Sequence, residues 1–487
     1  MPSAAERVWN AQELQWLIAE LMEPIGFRKL VQLSSQYHSK YMADAWRQLT
    51  GIGNILAILH SSLDVQALGK GRPEAQIPTI HVLESNRVQR FLLYARHVQS
   101  LKMNSNPERF VKWTGLDRLL HLPGLPLGQV PFPNVTHFSI NVGSQYRQIE
   151  LAPIIRLVCN PFLRQIWVAP NRSVDYPRST PEDTEATITT LANTYAPGSG
   201  PQSLAFYPEA LTLDVQWRNR FERLFLPMLN SVTYLTISVW LFSVGLLDAL
   251  AETPLVHLEF QSSPPVPHFN TFPIRHLIFP PTGFAYLKTL LLRNVRLKFA
   301  RDLLICEQLV SKVEALVVEL AQINELNTKE EEEDVLYLGL FQEISAIPSL
   351  QELTFASTRE DQFPPYELNL AMLEPTLSKR LRVLRLYRVS LPYSALKTLL
   401  SRSLNHWERL EVLCIMDHRV TQDELKYLAL LPNLTELSIN ISHKLLVPGV
   451  TVTEAVFPNP LTLISQFKFG KPFRRLESQL VVDKIVE

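Results

Sequence analysis

A three-residue apolar pattern recurs along most of this chain of 487 residues. In each copy an aliphatic residue is followed by a second one three positions later and a third one five positions later, as in Val232, Leu235 and Ile237. Recurrence at such spacing is typical of a solenoid, in which each repeat buries its apolar residues against its neighbours. Solenoids mostly bind other molecules, so the pattern predicts a binding protein and leaves the partner open.

Composition alone accounts for part of this pattern. Because 46% of the residues are apolar, three chosen positions are all apolar at about one site in ten by chance. The sequence context is more specific, since many copies follow a turn-forming residue and precede a stretch with helical spacing. Pro133 and Asn134 precede Val135, for example, and Pro348 precedes Leu350. The predicted order is loop, strand, loop and helix.

The distance between copies indicates the type of repeat. The first positions of neighbouring copies lie 29 residues apart from Leu381 to Leu410 and 24 apart from Leu410 to Leu434, in the range of leucine-rich repeats. Some gaps are longer and contain insertions, such as the acidic run 330–334, which we predict to be a solvated loop. We expect an α/β leucine-rich-repeat solenoid with an inner parallel sheet, outer helices and about 11 to 13 irregular repeats.

Strand geometry predicts which side chains are available for binding. The first, fourth and sixth positions point into the core, and the residues between them project from the concave face of the sheet. Outward Arg, Tyr and Met side chains are typical of protein interfaces, which places the partner surface toward the C-terminal repeats. An ordinary solvated sheet face remains the alternative. The predicted substrate-binding residues are Trp167, His257, Glu259, Arg293, Glu352, Arg385, Tyr387, Met416 and His418.

The first sixty residues follow a different pattern. Leu14, Leu17, Ile18 and Leu21 have the spacing of an amphipathic helix, which Pro24 terminates. Similar spacing predicts three further helices. The third helix in chain order runs from Tyr37 to Leu49, and the fourth runs from Ile52 to Leu59. We therefore predict a small all-α module over 8–63, a linker over 64–86, the solenoid over 87–441 and a C-terminal cap or tail over 442–487.

The N-terminal pattern resembles that of a known family. Glu13-Leu14, with the leucines that follow, Pro24 and the stretch Phe27-Arg28-Lys29-Leu30, is similar to a degenerate F-box. The Leu-Pro pair that usually opens this motif is replaced by Asn10-Ala11, and its later Val-Cys by Leu33-Ser34. The tract from Arg90 to Leu101 is similar to the start of the repeat array in fungal F-box and leucine-rich-repeat proteins.

This resemblance implies a substrate-recognition subunit of an SCF-type E3 ubiquitin ligase in the cytoplasm or nucleus. The module would dock on a Skp-type adaptor, which joins it to the cullin scaffold, and the concave face would bind an unknown substrate protein. The implied adaptor-binding residues are Leu14, Leu17, Ile18, Leu21, Pro24 and Leu30. The alternative is a non-catalytic leucine-rich-repeat scaffold, whose N-terminal helices only cap the array.

Several other functions are disfavoured by the sequence. Lys plus Arg and Asp plus Glu both number 47, so no basic excess indicates nucleic-acid binding. Common nucleotide-binding, metalloprotease and hydrolase motifs do not occur, and the three cysteines are too few for a zinc cluster. No apolar run approaches the length of a membrane span. We therefore expect no enzyme activity, no catalytic residues, no cofactor, no metal and no membrane partner.

Overall fold

A computed structural model describes most of the chain, in segments separated by gaps. The described residues are 35–56, 58–59, 65–67, 73–76, 83–104, 112–142, 151–170, 180–196, 198–206, 221–262, 279–280, 282–321, 330–357, 365–377, 381–392, 395–403, 407–441 and 462–465. The chain divides into two compact units, Met1–Val232 and Thr233–Glu487. Each unit alternates parallel strands with helices.

The described part of the first unit begins with a helix that leads directly into a strand. Its helices are α1 (Ser35–Arg47), α2 (Gly53–Leu56), α3 (Ser85–Ala95), α4 (Ala152–Val158) and α5 (Pro181–Thr194). Its strands are β1 (Gln48–Thr50), β2 (Val65–Ala67), β3 (Pro73–Gln76), β4 (Ser100–Asn104), β5 (Lys112–Thr114), β6 (His137–Val142), β7 (Gln165–Pro170) and β8 (Ser203–Phe206). Strands β1, β4, β6, β7 and β8 form a parallel array in this order. Strands β2, β3 and β5 form a separate small sheet.

The second unit repeats the same alternation. Its helices are α6 (Val244–Ala251), α7 (Leu297–Leu304), α8 (Glu307–Val310), α9 (Glu330–Ala346), α10 (Leu370–Leu377), α11 (Ala395–Ser403) and α12 (Gln422–Leu428). Its strands are β9 (Tyr234–Ser238), β10 (His257–Gln261), β11 (Thr289–Val295), β12 (Ala315–Leu320), β13 (Glu352–Ser357), β14 (Tyr366–Glu367), β15 (Val383–Tyr387), β16 (Val389–Ser390), β17 (Val412–Val420), β18 (Glu436–Ile441) and β19 (Thr462–Ser465). The short strands β14 and β16 pair with each other, and the others form a parallel array in chain order.

The repeated apolar positions stack in register between neighbouring strands. Leu316 on β12 pairs with Leu353 on β13, and Leu353 pairs with Leu384 on β15. In β12 and β13 burial alternates strictly from residue to residue. The first, fourth and sixth positions therefore lie on one buried face. The strands predicted from the apolar pattern are confirmed where the structure describes them.

A repeated backbone contact joins each repeat to the next. The carbonyl of the second position accepts hydrogen bonds from the N–H groups of the second and third positions of the following repeat. In the second unit Gln351 O accepts from Arg382 N at 2.7 Å and Val383 N at 3.2 Å, and Arg382 O accepts from Glu411 N at 2.8 Å. In the first unit Thr136 O accepts in the same way from Arg164 N and Gln165 N. The contact recurs at the start of β6 to β8, β10 to β13, β15, β17 and β18, and it sets the register there.

Aromatic side chains fill the space between the sheet and the helices. In the second unit Phe260 on β10 packs edge-to-face against Phe299 on α7, with ring centroids 6.2 Å apart. Phe355 on β13 packs against Phe341 on α9 at 5.1 Å. All of these rings except Phe299 are completely buried. The helices therefore cover the face that carries the apolar positions.

The structure overturns the predicted end of one helix and the loop predicted at the acidic run. The helix predicted from Tyr37 to Leu49 ends at Arg47, because Gln48–Thr50 pairs with β4 and joins the parallel array. The array thus begins inside the range predicted as the all-α module. The predicted linker contains β2 and β3, and β19 lies in the predicted C-terminal cap and pairs with β18. The acidic run predicted as a loop begins helix α9.

Together these features define a mixed α/β fold with parallel sheets and helices, compatible with a solenoid.

The alternation of faces predicts that neighbouring residues differ in their contribution to stability. Leu353 is completely buried, whereas Thr354 is half-buried on the opposite face. We expect Leu353→Ala to lower the free energy of unfolding by about 2–5 kcal/mol, because it leaves a cavity. Thr354→Ala is the control, with a loss of less than about 1 kcal/mol. Urea unfolding of the intact chain measures both, and equal losses would contradict the assigned faces.

Candidate functional site

The candidate site is the sheet face opposite the apolar positions in the second unit. We call it the odd face, because it consists of the third, fifth and seventh positions of each repeat. The register aligns these positions in rows across strands β9 to β18. From β12 onward most of these side chains are half-exposed, and Tyr387 has 37% of its surface accessible. This face can therefore contact another molecule.

An ion-pair network crosses three strands of the odd face. The Arg293 Nε on β11 lies 2.6 Å from Glu259 Oε1 on β10, and its Nη1 donates to Glu319 Oε1 on β12. Arg293 is only 18% accessible and Glu259 is almost completely buried, while Glu319 retains 31% of its accessible surface. One guanidinium thus bridges two carboxylates from the strands on either side of it.

Residues of β9 complete this network. The Tyr234 ring stacks on the His257 ring at 3.8 Å between centroids, and Thr236 Oγ1 donates to Glu259 Oε2 at 3.2 Å. Burial is the largest influence on the pKa of Tyr234 and raises it. The negative charge of Glu259 raises this pKa further, whereas Arg293 lowers it. The phenol therefore stays neutral at neutral pH.

A second group of side chains lies on strands β15 to β18. Arg385 pairs in register with Cys414, which pairs with Ser438. Burial, and then the neighbouring Cys414, raises the pKa of Tyr387 to about 12. Burial also raises the pKa of Cys414, so its thiol is protonated and unreactive at neutral pH. This group offers a neutral phenol, a guanidinium and the half-exposed Met416.

The predicted site residues fall into separate groups. His257, Glu259 and Arg293 come together in the ion-pair network, although Glu259 is buried by its neighbours. Glu352 and Arg385 are half-buried on the odd face of β13 and β15. Trp167 is 37% accessible on β7 of the first unit. Sequence analysis missed Tyr234, Thr236 and Glu319, which the same outward positions of their repeats would have identified.

His418 is the exception, and its predicted place on the outward face is wrong. The register of β17 against β18 shifts between Ile415 and Arg419, which interrupts the alternation of faces. His418 is therefore turned inward and is only 3% accessible. Its Nδ1 lies 3.2 Å from Leu391 O, and its Nε2 lies 3.3 Å from Glu424 Oε1. Both ring nitrogens face oxygen acceptors.

Glu424 is the acceptor that joins this region together. It is completely buried on α12 and receives hydrogen bonds from Leu396 N at 3.1 Å and Thr421 N at 2.8 Å. Burial is the largest influence on the pKa of Glu424 and raises it, but hydrogen bonds from His418 and Thr421 outweigh this effect and keep the pKa below its ordinary value. The carboxylate is therefore ionised at neutral pH and has a structural role.

The predicted adaptor-binding residues Leu14, Leu17, Ile18, Leu21, Pro24 and Leu30 lie outside the described residues. Within the described ranges, no group of three His, Cys, Asp or Glu side chains could hold a metal ion. The helices of those ranges include none long and apolar enough to cross a membrane. Neither the comparison with protein-family models nor the search of curated proteins gives a match to this chain.

The ion-pair network predicts an energetic coupling between Arg293 and Glu259. We expect Arg293→Met to lower the free energy of unfolding by about 2 kcal/mol, because it leaves the buried Glu259 carboxylate without its guanidinium. Adding Glu259→Gln should restore at least about 1 kcal/mol in a double-mutant cycle measured by urea unfolding. The control is Lys288→Met, whose ion pair with Glu314 is exposed. Strictly additive losses would argue against the network.

The Glu424 contacts predict a dependence of stability on pH. Because the folded pKa lies below the ordinary value of 4.5, the carboxylate stabilises the fold above that pH and less as the pH falls through its folded pKa. Glu424→Gln should cost about 3 kcal/mol at pH 7, and its difference from wild type should shrink below pH 4.5. Asp423→Asn, at an exposed surface ion pair with Lys397, is the control. A difference that is constant from pH 7 to pH 3 would refute this role.

Proposed function

We propose that this chain is the substrate-recognition subunit of an SCF-type E3 ubiquitin ligase and binds its substrate protein on the odd face of a leucine-rich-repeat solenoid. The observation that carries the proposal is the odd face from β12 to β18, where most side chains are half-exposed and charged residues and Tyr387 lie at aligned positions. A rigid parallel sheet holds these side chains at fixed spacing. Such preorganisation lowers the entropic cost of binding an extended protein surface.

Three features support the leucine-rich-repeat assignment. The apolar positions recur at the spacing of that repeat class, each set forms a parallel strand, and helices return between strands. The shared backbone contact recurs in both units. Irregular lengths between strands make this a divergent array.

The ligase part of the proposal rests on the sequence resemblance of residues 13–30 to an F-box. In such a complex a Skp-type adaptor would hold the chain on the cullin scaffold, and other subunits would carry out ubiquitin transfer. The chain would contribute proximity, because holding a substrate lysine near the ubiquitin thioester raises its effective concentration. It would need no catalytic group of its own.

One observation favours the alternative of a scaffold whose N-terminal helices only cap the array. Trp46 on α1 stacks on Tyr94 of α3 with ring centroids 4.9 Å apart, and β1 pairs with β4. Leu49, Ile52 and Ile55 are completely buried or nearly so. The second half of the predicted module thus belongs to the first repeats, as a cap would. Adaptor docking must therefore depend on residues before 35.

A co-expression experiment tests the adaptor interaction. We expect the intact chain to form a complex with a Skp-type adaptor, measured by affinity purification and size-exclusion chromatography, and Ile18→Asp to abolish it because a buried charge is costly. Removal of residues 1–34 should do the same and leave α1 and β1 in place. The matched control is Leu127→Asp, which adds the same charge at a completely exposed leucine.

Two outcomes would count against the receptor. If the wild-type chain forms no complex with the adaptor, the ligase assignment fails. If removal of residues 1–34 lowers the thermal unfolding temperature of the array and leaves adaptor binding unchanged, these residues are a cap. Neither outcome tests whether the odd face binds a protein. That test requires substitutions on the odd face.

A further inference from the structure

We propose that Arg385, on the odd face of β15, binds a carboxylate of the target protein, and that this acidic residue lies in an extended segment with an apolar residue two positions before it and another two positions after it. This inference rests on the proposed role of the odd face in protein binding and names the chemistry that the face recognises. It follows from hydrogen-bond donors that lack an acceptor among the described residues and from the side chains around them.

The guanidinium of Arg385 has no acceptor within the described ranges. Arg385 occupies the fifth position of β15 and is half-buried. Neither a hydrogen bond nor an ion pair joins its side chain to another described residue. Arg293 on β11, by contrast, is held by two carboxylates. A guanidinium presents its N–H donors in a planar fork that matches the two oxygens of a carboxylate, so Arg385 offers a partner a charge-assisted contact.

Thr354 supplies a second donor beside Arg385. The two residues pair in register on β13 and β15, and neighbouring strands lie about 4.8 Å apart. Thr354 is half-exposed, and its hydroxyl makes no hydrogen bond to any other residue that the structure describes. A carboxylate above this pair would accept from the guanidinium and from the hydroxyl together, which fixes its position on the sheet.

Two carboxylates at a greater distance favour a carboxylate ligand over a phosphate. Glu352 pairs with Val383, two residues before Arg385, and its charge acts on Arg382. Glu436 lies two strands away on β18. Neither forms an ion pair with Arg385 in the described part of the chain. Both would repel a doubly charged phosphate more than a singly charged carboxylate, and phosphate recognition usually combines several arginines.

The side chains two positions before and after Arg385 are apolar or aromatic. Before it, Val383 pairs with the half-exposed Val412 on β17. After it, Tyr387 has 37% of its surface accessible, and Met416 on β17 is half-exposed. In an extended segment that runs along β15, the residues two before and two after the acidic one point to the same side, each about 7 Å away. Apolar residues there would bury surface on these side chains and exclude water from the central ion pair.

Peptide binding to the intact chain tests this inference. A display library of random 12-residue peptides is selected on the wild-type protein, and enriched peptides are synthesised for fluorescence anisotropy. We expect enrichment of Asp or Glu with an apolar residue two positions away on each side. A designed peptide containing Val-Thr-Glu-Thr-Leu should bind, and its counterpart with Gln in place of Glu should bind roughly tenfold more weakly. A counterpart with phosphoserine in place of Glu should bind no more tightly than the Glu peptide.

Substitutions on the protein locate the carboxylate. Arg385→Gln should weaken binding of the acidic peptide roughly tenfold, and Thr354→Val roughly two- to fivefold. Arg385→Lys should bind more tightly than Arg385→Gln, because it keeps the charge and loses only the planar fork. Arg385→Glu should reject the acidic peptide and bind the counterpart that has Lys in place of Glu.

The matched control is Arg382→Gln. Arg382 is exposed at the second position, outside the odd face, and forms an ion pair with Glu411 at 3.0 Å. Its removal takes away the same charge from the start of the same strand, so binding of the acidic peptide should change less than about twofold. Circular dichroism checks that each variant folds as the wild type does.

The outcomes separate this inference from the proposed function. The inference is overturned if the enriched peptides are basic or uncharged, if the designed peptide does not bind, or if Arg385→Gln binds it as tightly as the wild type does. A phosphoserine peptide that binds more than about tenfold more tightly than the Glu peptide would overturn the choice of a carboxylate. When the enriched peptides are not acidic but are lost on Met416→Asp, protein binding by the odd face stands. If no substitution on the odd face changes the binding of any selected peptide, the inference and the proposed use of this face fail together. Adaptor binding remains a separate measurement.

Discussion

The fold depends on a shared hydrogen-bond acceptor that recurs in most of the described repeats. The second-position carbonyl receives two N–H groups from the next repeat, as Gln351 O does from Arg382 and Val383. This contact starts each new strand at the same level as the preceding one. A shift by one residue would turn the buried leucines outward and the polar residues inward. Because the contact aligns one repeat with the next, the apolar residues that are evenly spaced in the sequence stack on one face of the sheet.

The same register determines what the two faces of the sheet can do. On the buried face, leucine and phenylalanine side chains stack between strands and are covered by helices. On the odd face, the register brings Glu259, Arg293 and Glu319 together from three successive strands. Charges that are far apart in sequence thus become neighbours, and the compensated carboxylate Glu259 can be buried at a tolerable energetic cost. Glu319 stays partly accessible, so the same network has a structural part and a part that can meet a partner.

The strands could be predicted from the sequence because the apolar pattern and the preceding turns agree. The failures occur where tertiary contacts override local spacing. Leu49 continues the helical spacing of α1, yet it pairs with Leu101 in the sheet. His418 follows the outward positions of β17 by simple counting, yet the shift in register after Ile415 turns it inward. The network residues could be placed on the outward face, but their burial depends on partners in other repeats. The adaptor site remains a prediction from sequence resemblance alone.

Carboxylates at helix starts connect the helices in the way that the shared carbonyls connect the strands. Asp183, in the first turn of α5, accepts hydrogen bonds from Leu151 N and Ala152 N at the start of α4. Glu424, in the first turn of α12, accepts from Leu396 N at the start of α11. Each carboxylate lies near the N-terminal ends of two helices, whose unpaired N–H groups and dipoles favour negative charge. A local capping signal, Thr followed three residues later by Asp or Glu, marks the start of the helix that carries each carboxylate. The hydrogen bonds that the same carboxylate accepts from the preceding helix form only when the strands have aligned successive repeats.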